Sequence, residues 1–307
     1  MPISLGRQGS PAPRGGGARL ACNALDQCLW VGMDGVKFCC FMPDLLHYQP
    51  ASRLVPGLES LRRGLYARID EGRPTCCGSC MFLTPSTGRP GSYRIRSLSL
   101  GHNSRCNFEC SYCKTRKNLR TGSDGLALRL VRDILGSGRL RPDLEFSWAG
   151  EGEPVVDPDF EGIVGLLLEG GSKGLIYTNA SIHSPLVEDG LRDGRLRIVT
   201  SLDAGTPPTF RRMHGVDAFD RVVETLRRYR AASGPDGISL KYILTPDNAG
   251  EEETARFVRL CGALDVHRVI ISSDYTLAAN PFAGQTEDFR RKAQAAGLEV
   301  SLSPWTA

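Results

Sequence analysis

Apolar and polar residues follow two different patterns along the chain, and the change falls near residue 94. Beyond it, short apolar runs typical of buried strands are separated by segments in which apolar residues recur every three or four positions, as in amphipathic helices. The predicted strands are RIRSLSL, LEFSWAG, GLIYTNA, LRIVTSL, ISLKYIL and HRVIISS. The predicted helices are GLALRLVRDILG, PDFEGIVGLLLEGG, SPLVEDGLRDG, FDRVVETLRRYRAA, EEETARFVRLCGAL and TEDFRRKAQAAG. This alternation predicts an α/β fold, a partial (β/α)6 TIM-like barrel with functional side chains at the carboxyl ends of its parallel strands.

The segment before residue 94 is predicted to be organised separately. Residues 1–20 are rich in Gly, Pro, Arg and Ser and are predicted to be a disordered tail. Residues 21–84 are predicted to form a small cysteine-rich α+β module, and residues 85–93 a linker to the barrel at residues 94–307. We therefore expect one large domain with a small N-terminal appendage.

A hairpin followed by a helix is predicted within this N-terminal module. The segment LWVGMDGVKFCCF predicts two apolar strands around an Asp34-Gly35 turn. The segment LESLRRGLYARIDEG predicts an amphipathic helix. The apolar face of this helix consists of Leu58, Leu61, Leu65 and Ile69. Because a hairpin joins its own two ends and the helix returns the chain to them, cysteines at these ends are expected to converge.

The charge of the chain is nearly balanced, with 38 basic and 34 acidic residues and a net charge of +4. This balance does not favour a nucleic-acid polymer as a partner. No apolar run is long enough to cross a membrane, and the first 20 residues have no apolar core of the kind that a secretory signal needs. The expected location is the cytoplasm.

Eleven cysteines in such a chain require an explanation, since cytosolic proteins rarely keep disulfides. Ten of them fall within the first 113 residues, and clustered thiols point to metal or iron–sulfur ligation. The exception, Cys261, lies in a predicted helix and is expected to be a small buried hydrophobe.

Three cysteines with the spacing C-x3-C-x2-C follow the first predicted barrel strand, at Cys106, Cys110 and Cys113. Three thiolates on one loop bind three irons of a cubane cluster and leave the fourth iron open to a ligand. A structural zinc site normally has four protein ligands, and no fourth Cys or His follows at that spacing. The nearby His102 keeps zinc as a minor alternative.

This loop resembles the signature of the radical S-adenosylmethionine (SAM) superfamily, C-x3-C-x-Φ-C with Φ aromatic, and Tyr112 occupies the aromatic position. The resemblance implies a [4Fe–4S] cluster whose open iron chelates the amino and carboxylate groups of SAM. It also implies reductive cleavage of SAM to a 5′-deoxyadenosyl radical that abstracts hydrogen from a small-molecule substrate. A flavodoxin- or ferredoxin-type electron donor is the expected partner.

The resemblance extends to the ends of the later strands. FSWAGEGEPVVDP resembles the family's glycine–glutamate motif, which meets the methionine ammonium of SAM. Glu151 stands there in a position where many members have Gly. The resemblance implies cofactor contacts by Tyr112, Gly150, Gly152, Glu153, Thr178, Asn179, Ser201, Asp203 and, more weakly, Ser272 and Lys241. Arg212 and His214 are expected to be structural.

The N-terminal cysteines resemble the Twitch/SPASM auxiliary-cluster modules of the same superfamily, although such modules usually follow the barrel. The match consists of Cys22, the x12-G-x4-C run through Gly35 to Cys40, and Cys77-x2-Cys80. It implies a second [4Fe–4S] cluster held by Cys22, Cys40, Cys77 and Cys80. Cys39 is an alternative to Cys40 and Cys76 to Cys77, zinc is an alternative to the cluster, and Cys28 is expected to be buried.

We therefore expect an enzyme that abstracts hydrogen from a small polar substrate, such as a sugar, aminocyclitol or nucleoside, in a natural-product pathway such as antibiotic biosynthesis. The auxiliary cluster is expected to take part in an oxidation. The alternatives are sulfur insertion with that cluster as the sulfur source, and peptide modification or epimerisation. The non-enzymatic alternative is a zinc-binding interaction protein.

Overall fold

A computed structural model describes most of the chain, as two compact units. The described residues are 19–33, 35–39, 42, 46–77, 80, 82–113, 125–149, 151–274, 277 and 280–303. The first unit comprises Met1–Ser99 and Leu126–Glu145, and the second comprises Leu100–Gly125 and Phe146–Ala307. Two of the predicted site residues, Cys40 and Gly150, lie outside the described residues, as does Asp34 of the predicted turn.

The first unit contains short strands and two substantial helices. Its elements are β1 (Arg19–Ala21), α1 (Asn23–Gln27), β2 (Cys28–Val31), β3 (Gly35–Lys37), β4 (Leu46–His47), α2 (Ala51–Asp70), β5 (Thr84–Ser86), β6 (Ile95–Leu100), α3 (Leu126–Leu135) and β7 (Leu140–Trp148). The last two strands end in the second unit. α3 packs beside α2, so it joins the first unit, whereas the sequence analysis assigned it to the barrel.

The predicted hairpin forms from β2 and β3, which pair antiparallel with Trp30 opposite Lys37. A second antiparallel pair joins β1 to β5, with Arg19 opposite Ser86. The predicted boundaries are therefore wrong by a few residues: the end of the predicted tail and the start of the predicted linker belong to strands. Polar, Pro-containing strands of three residues carry no apolar alternation that would reveal them.

Helix α2 begins seven residues before the predicted start at Leu58 and runs through Pro56. Its buried face follows Leu58, Arg62 and Tyr66, whereas the predicted Leu61, Leu65 and Ile69 are only half-buried. Arg62 forms an ion pair of 2.9 Å with the buried Asp26, and the Tyr66 hydroxyl donates to the same carboxylate over 2.9 Å. The prediction is therefore right at Leu58, and the buried face is turned toward Arg62 and Tyr66 because an apolar pattern cannot signal a buried ion pair.

The second unit is built on parallel strands. Its further elements are α4 (Phe160–Glu169), β8 (Lys173–Tyr177), α5 (Pro185–Arg192), β9 (Leu196–Ser201), α6 (Pro207–His214), α7 (Phe219–Ala232), β10 (Ile238–Leu244), α8 (Glu251–Ala263), β11 (Arg268–Ser273), α9 (Ala283–Ala295) and β12 (Glu299–Leu302). β8 to β12 lie side by side in chain order and every pair is parallel. The prediction of a mixed α/β fold with a parallel sheet is confirmed.

The core of this unit places strands against the helices that connect them. Tyr242 of β10, Phe257 of α8 and Phe289 of α9 pack edge to face, with ring centroids 4.7, 4.9 and 5.9 Å apart. Burying each aromatic ring contributes about 1.5–3 kcal/mol, which holds these helices on the sheet and leaves the carboxyl ends of the strands free to carry a site. Among the described helices, none combines the length and the apolar character needed to span a membrane.

Candidate functional site

The loop that carries Cys106, Cys110 and Cys113 is fixed by the end of α6. The Glu109 amide donates to the His214 carbonyl and the Ser111 amide to the Met213 carbonyl, each over 2.9 Å. The next residue, Gly215, has φ of 71° and closes the helix. A Cβ on Gly215 would lie 2.8 Å from the Glu109 Cβ, so this close contact requires glycine.

The three cysteines of the loop line one cavity of 380 Å³, a volume within the range of small-molecule sites. Cys106 is exposed, while Cys110 and Cys113 are half-buried. Burial raises the pKa of the Cys110 thiol to about 12, and the negative charges of Asp203 and the other two cysteines act in the same direction. Bound iron would therefore replace a proton on this sulfur, as thiolate ligation requires.

The spacing of the sulfurs tests zinc against a cluster. A tetrahedral zinc with Zn–S bonds of about 2.3 Å holds its sulfurs about 3.8 Å apart. Among the described cysteines, no three sulfurs lie within 4.8 Å of one another. A cubane binds its thiolates at separate corners and so holds them farther apart than one ion does. The donor set itself, three thiols that line one cavity, is that of a cubane with one open iron.

Glu153 is a buried carboxylate on another wall of the same cavity. It accepts hydrogen bonds from the Thr178 hydroxyl and the Asn179 amide, each 2.6 Å long, and from the Val155 amide over 3.3 Å. No cationic side chain pairs with it in the described part of the chain. Burial raises its pKa to about 7 despite these hydrogen bonds. The carboxylate is thus an acceptor that has room for a further N–H donor, which suits the amino group of SAM.

Glycine brings the Glu153 segment against the cysteine loop. A Cβ on Gly152 would lie 2.3 Å from the carbonyl oxygen of Arg105, and the Glu153 amide donates to that oxygen over 2.7 Å. Asn179 strengthens the junction, since its side-chain amide donates to Asn107 over 2.8 Å. Gly152, Thr178 and Asn179 thus hold Glu153 beside the loop.

Two further predicted side chains face the cavity from neighbouring strands. Ser201 of β9 and Lys241 of β10 are register partners, and both line the cavity. Burial lowers the pKa of Lys241, while the charge of Asp203 raises it. Lys241 is basic, and Glu109 and Glu151 are acidic, so charged groups of both signs line the cavity.

Asp203 and Ser272 are not among the residues that line this cavity, and their contacts with SAM stay predictions. The fully buried Asp203 accepts from the Tyr112 hydroxyl and, over 2.7 Å, from the Ile243 amide. The Ser272 hydroxyl is buried and donates to the Ser273 carbonyl over 3.1 Å. Position at a strand end does not reveal where a side chain points. Tyr112 lines the cavity, and its hydroxyl is held by Asp203.

His214, expected to be only structural, lies directly behind the cysteine loop and lines the cavity. Its Nδ1 is 3.1 Å from the Cys110 sulfur and its Nε2 is 3.0 Å from the Leu202 carbonyl. Because a carbonyl only accepts, Nε2 carries the proton and the Cys110 thiol donates to Nδ1. The motif RRMHG, which contains His214, was the only sequence signal for the contact between His214 and Cys110. Arg212 makes structural contacts, donating to Thr209 over 2.9 Å.

The cysteines of the first unit lie close to one another. The sulfurs of Cys76 and Cys77 are 3.9 Å apart. Burial raises the pKa of Cys77 to about 12, and the charges of Cys76, Cys39 and Cys80 add to this shift. The charge of Cys39 thus acts on the C-x2-C segment, while Cys40 lies outside the described residues.

Cys22 and Cys28 complete this group. Cys22 is buried, and its backbone is held by the Tyr66 hydroxyl over 3.0 Å. Cys28 is half-buried rather than buried as predicted, because its strand lies in a short hairpin. Burial raises the pKa of Cys28, as do the charges of Cys22 and Cys39. Cys39 thus acts on both Cys28 and Cys77, and the shared ligation of Cys22, Cys77 and Cys80 stays a prediction.

Comparison with known proteins identifies the family. The sequence model of the radical SAM superfamily matches residues 100–258, more than half of the chain. The chain belongs to the radical SAM superfamily, whose members use a [4Fe–4S] cluster and SAM, and it is an enzyme. The non-enzymatic zinc-binding alternative is therefore not supported.

Curated relatives and solved structures add detail. The chain is 26% identical over 201 residues to a probable GTP 3′,8-cyclase from Saccharolobus islandicus, covering 64% of this chain and 63% of that protein. It is 32% identical over 158 residues to the GTP 3′,8-cyclase of a Cyanothece species, covering 46% and 45%. The chain thus spans less than two thirds of the length of these relatives.

Solved structures share the fold at low sequence identity. Streptococcus suis SuiB bound to its precursor peptide SuiA is 15% identical, with a TM-score of 0.56 over 85% of this chain and 56% of that one. A radical SAM methyltransferase from Sphaerobacter thermophilus is 17% identical, with a TM-score of 0.51 over 66% and 64%. These likenesses establish the fold and no specific substrate.

Proposed function

We propose that this enzyme holds its [4Fe–4S] cluster through Cys106, Cys110 and Cys113 and binds SAM between that cluster and Glu153. The observation that carries the proposal is the pairing of two features in one cavity. Three thiols lie on one wall, with no fourth cysteine among its described lining residues, and a buried carboxylate without a cation lies on another. Each feature lacks the partner that SAM supplies: a ligand for the open iron, and an N–H donor for the acid.

When bound, the cluster and SAM together supply hydrogen-atom abstraction from an unactivated C–H bond. The chain's own residues bind SAM, orient it and shield it from water. Glu153 accepts an N–H hydrogen bond from the amino group of SAM, and its orientation is fixed by Thr178 and Asn179. Apolar lining residues, among them Phe108 and Ile243, exclude water from the cavity.

The substrate in this proposal is a small polar metabolite such as a sugar, aminocyclitol or nucleoside. The polar groups of Lys241, Ser201 and Glu151 on the cavity wall support it. The name of the GTP 3′,8-cyclase relatives gives a nucleoside-type substrate most support among the three. A flavodoxin- or ferredoxin-type protein supplies the electron in this scheme.

The proposal includes an auxiliary [4Fe–4S] cluster in the first unit that takes part in the oxidation. Its ligands would be Cys22, Cys77, Cys80 and either Cys39 or Cys40. The mutual effect of Cys39, Cys76 and Cys80 on the pKa of Cys77 supports their convergence.

Replacing Cys106, Cys110 and Cys113 together with Ala tests the SAM site. We expect no 5′-deoxyadenosine from SAM and dithionite, and loss of about four of about eight irons per chain after anaerobic reconstitution. Cys261→Ala is the matched control, because that buried thiol lies in α8 and should leave iron and cleavage unchanged. Continued SAM cleavage by the triple variant, or wild-type protein that contains zinc and no iron, would refute the proposal.

A further inference from the structure

A second group of ligand-type side chains lies outside the cavity, in the same unit. It consists of His102, Asp157 and Asp159, which are 4%, 7% and 8% exposed. One nitrogen of the imidazole and one oxygen of each carboxylate lie within 4.8 Å of one another. None of the three residues lines the cavity or is used by the proposed chemistry.

The polar atoms of this group are unsatisfied. Neither ring nitrogen of His102 has a hydrogen-bond partner among the described residues, nor does Oδ2 of Asp157. His102 Nε2 and Asp157 Oδ2 face each other at 3.2 Å as a charge pair, and Asp157 also interacts with Asn103. His102 Nδ1 has no partner of either kind among the described residues, and a buried polar group without a partner costs about 1–3 kcal/mol, which indicates a missing ligand.

Hydrogen bonds from the backbone hold the two carboxylates in place. The Asp159 amide donates to Oδ1 of Asp157 over 2.8 Å, and the Gly125 amide donates to Oδ2 of Asp159 over 2.8 Å. Oδ1 of Asp157 and Oδ2 of Asp159 are therefore held by the backbone, while Oδ2 of Asp157 faces His102. Such supporting hydrogen bonds are typical of carboxylates that ligate a metal.

Charge distinguishes a cation from a water molecule as the missing ligand. Two buried carboxylates face a single imidazole, and within the described residues His102 is the only basic group paired with either of them. Even a protonated His102 would balance only one of the two charges. A water molecule satisfies lone pairs but leaves this excess charge buried, whereas a divalent cation neutralises it.

We propose that His102, Asp157 and Asp159 bind a divalent transition-metal ion, with Zn²⁺ as the best match. One imidazole nitrogen and two carboxylate oxygens are zinc ligands, and imidazole disfavours Mg²⁺ and Ca²⁺. The Trp148 ring packs against His102 with centroids 5.1 Å apart and restricts it further.

The position of this metal gives it a structural role. His102 lies four residues before Cys106, and Asp157 lies four residues after Glu153. These two segments meet where Gly152 touches Arg105. An ion between His102 and Asp157 would join the cysteine loop to the Glu153 segment without lining the cavity.

Zinc K-edge absorption of the full-length enzyme tests the proposal. Protein is purified anaerobically from zinc-supplemented defined medium, its iron–sulfur clusters are reconstituted, and metals are counted by mass spectrometry. We expect about one zinc per chain, with nitrogen and oxygen neighbours at about 2.0–2.2 Å. His102→Gln and Asp157→Asn should lose this zinc. The control His267→Gln should keep it, since His267 is exposed and pairs only with Asp265.

Three outcomes would overturn the inference. They are wild-type protein without zinc, zinc with only sulfur neighbours at about 2.3 Å as in a cysteine site, and unchanged zinc in both variants. If the variants fail to fold, the zinc spectrum of the wild-type enzyme still shows whether nitrogen and oxygen atoms, or only sulfur atoms, surround the zinc. Zinc content does not depend on SAM cleavage, so this result is independent of the test of the proposed function.

Discussion

At Glu153, burial and hydrogen bonding act on one carboxylate in opposite directions. Desolvation raises its pKa, the three hydrogen bonds it accepts lower it, and the result is a pKa of about 7. The ionised form is the stronger acceptor of an N–H hydrogen bond. Since the pKa lies above its ordinary value, the productive form is present at higher pH and is lost as the pH falls through about 7.

The affinity for SAM should therefore weaken on acidification. Between pH 7.5 and 6 the ionised fraction of a carboxyl with a pKa near 7 falls about eightfold, and the α-amino group of SAM, which must lose its proton to chelate iron, also becomes more fully protonated. The dissociation constant of SAM, measured by anaerobic calorimetry on the reconstituted enzyme, should rise by at least about this factor.

The variant Glu153→Gln, which has no carboxylate at this position, tests whether Glu153 causes the pH dependence of SAM affinity. This variant should bind SAM weakly at pH 7.5 and show no such pH dependence. Glu161→Gln, at an exposed position in α4, should behave like the wild type. A flat wild-type profile, or full affinity in Glu153→Gln, would contradict the assigned role.

Single residues also mark where the sequence analysis succeeded and failed. Glu153 was predicted because a motif identifies it, and the cavity contains it. His214 was assigned only a structural role, although it lies 3.1 Å from the Cys110 sulfur, because the two residues are more than a hundred positions apart. Asp203 was placed in the site from its strand-end position, but its carboxylate is buried beneath Tyr112.

At the scale of elements, contacts between backbone segments hold the site together. The Glu153 segment reaches the cysteine loop only because Gly152 has no Cβ. The end of α6 holds the other side of the same loop through two backbone hydrogen bonds. Neither contact involves a side chain that a motif would record.

Gly152→Ala should therefore lower the stability of the enzyme and its affinity for SAM, whereas alanine at a glycine with open space around it should do neither. A Cβ 2.3 Å from the Arg105 oxygen forces the two segments apart, and such overpacking costs about 1–3 kcal/mol. The urea midpoint should fall, and SAM affinity should fall with it.

Gly165→Ala is the matched control. Gly165 lies inside α4 and has no atoms within 4 Å of an added Cβ. Alanine is the better helix former by about 0.8–1 kcal/mol, so the midpoint should rise and SAM binding should not change. Equal behaviour of the two variants would mean that the Gly152 contact has no special importance.

The elements themselves were predicted well in the second unit and less well in the first. β8 to β11 have long apolar runs and occupy the predicted positions. α2 was predicted too short because an internal proline usually ends a helix, yet it runs through Pro56. Its buried side also depends on the Arg62–Asp26 ion pair, which apolar periodicity does not encode.

At the scale of the whole molecule, the proposed function assigns different tasks to the two units. The second unit carries the SAM site, and the first carries the thiols proposed for the auxiliary cluster. This division predicts that the two clusters can be removed separately.

Replacing Cys77 and Cys80 with Ala should remove about four of about eight irons and stop substrate turnover. Uncoupled formation of 5′-deoxyadenosine should continue, because Cys106, Cys110 and Cys113 are untouched. Cys28→Ala is the control, since this half-buried cysteine is not a proposed ligand. Unchanged iron content in the double variant would argue against the auxiliary cluster.

The sequence alone determined the α/β alternation, the three-cysteine loop and the glutamate motif, since each is encoded in residues close together along the chain. Only the tertiary structure decided that Asp203 and Ser272 are withdrawn from the cavity, that His214 contacts Cys110, and that His102 meets Asp157 and Asp159. The physical reason is that burial, hydrogen bonding and charge balance depend on neighbours in space, and the fold brings these neighbours together from distant parts of the chain.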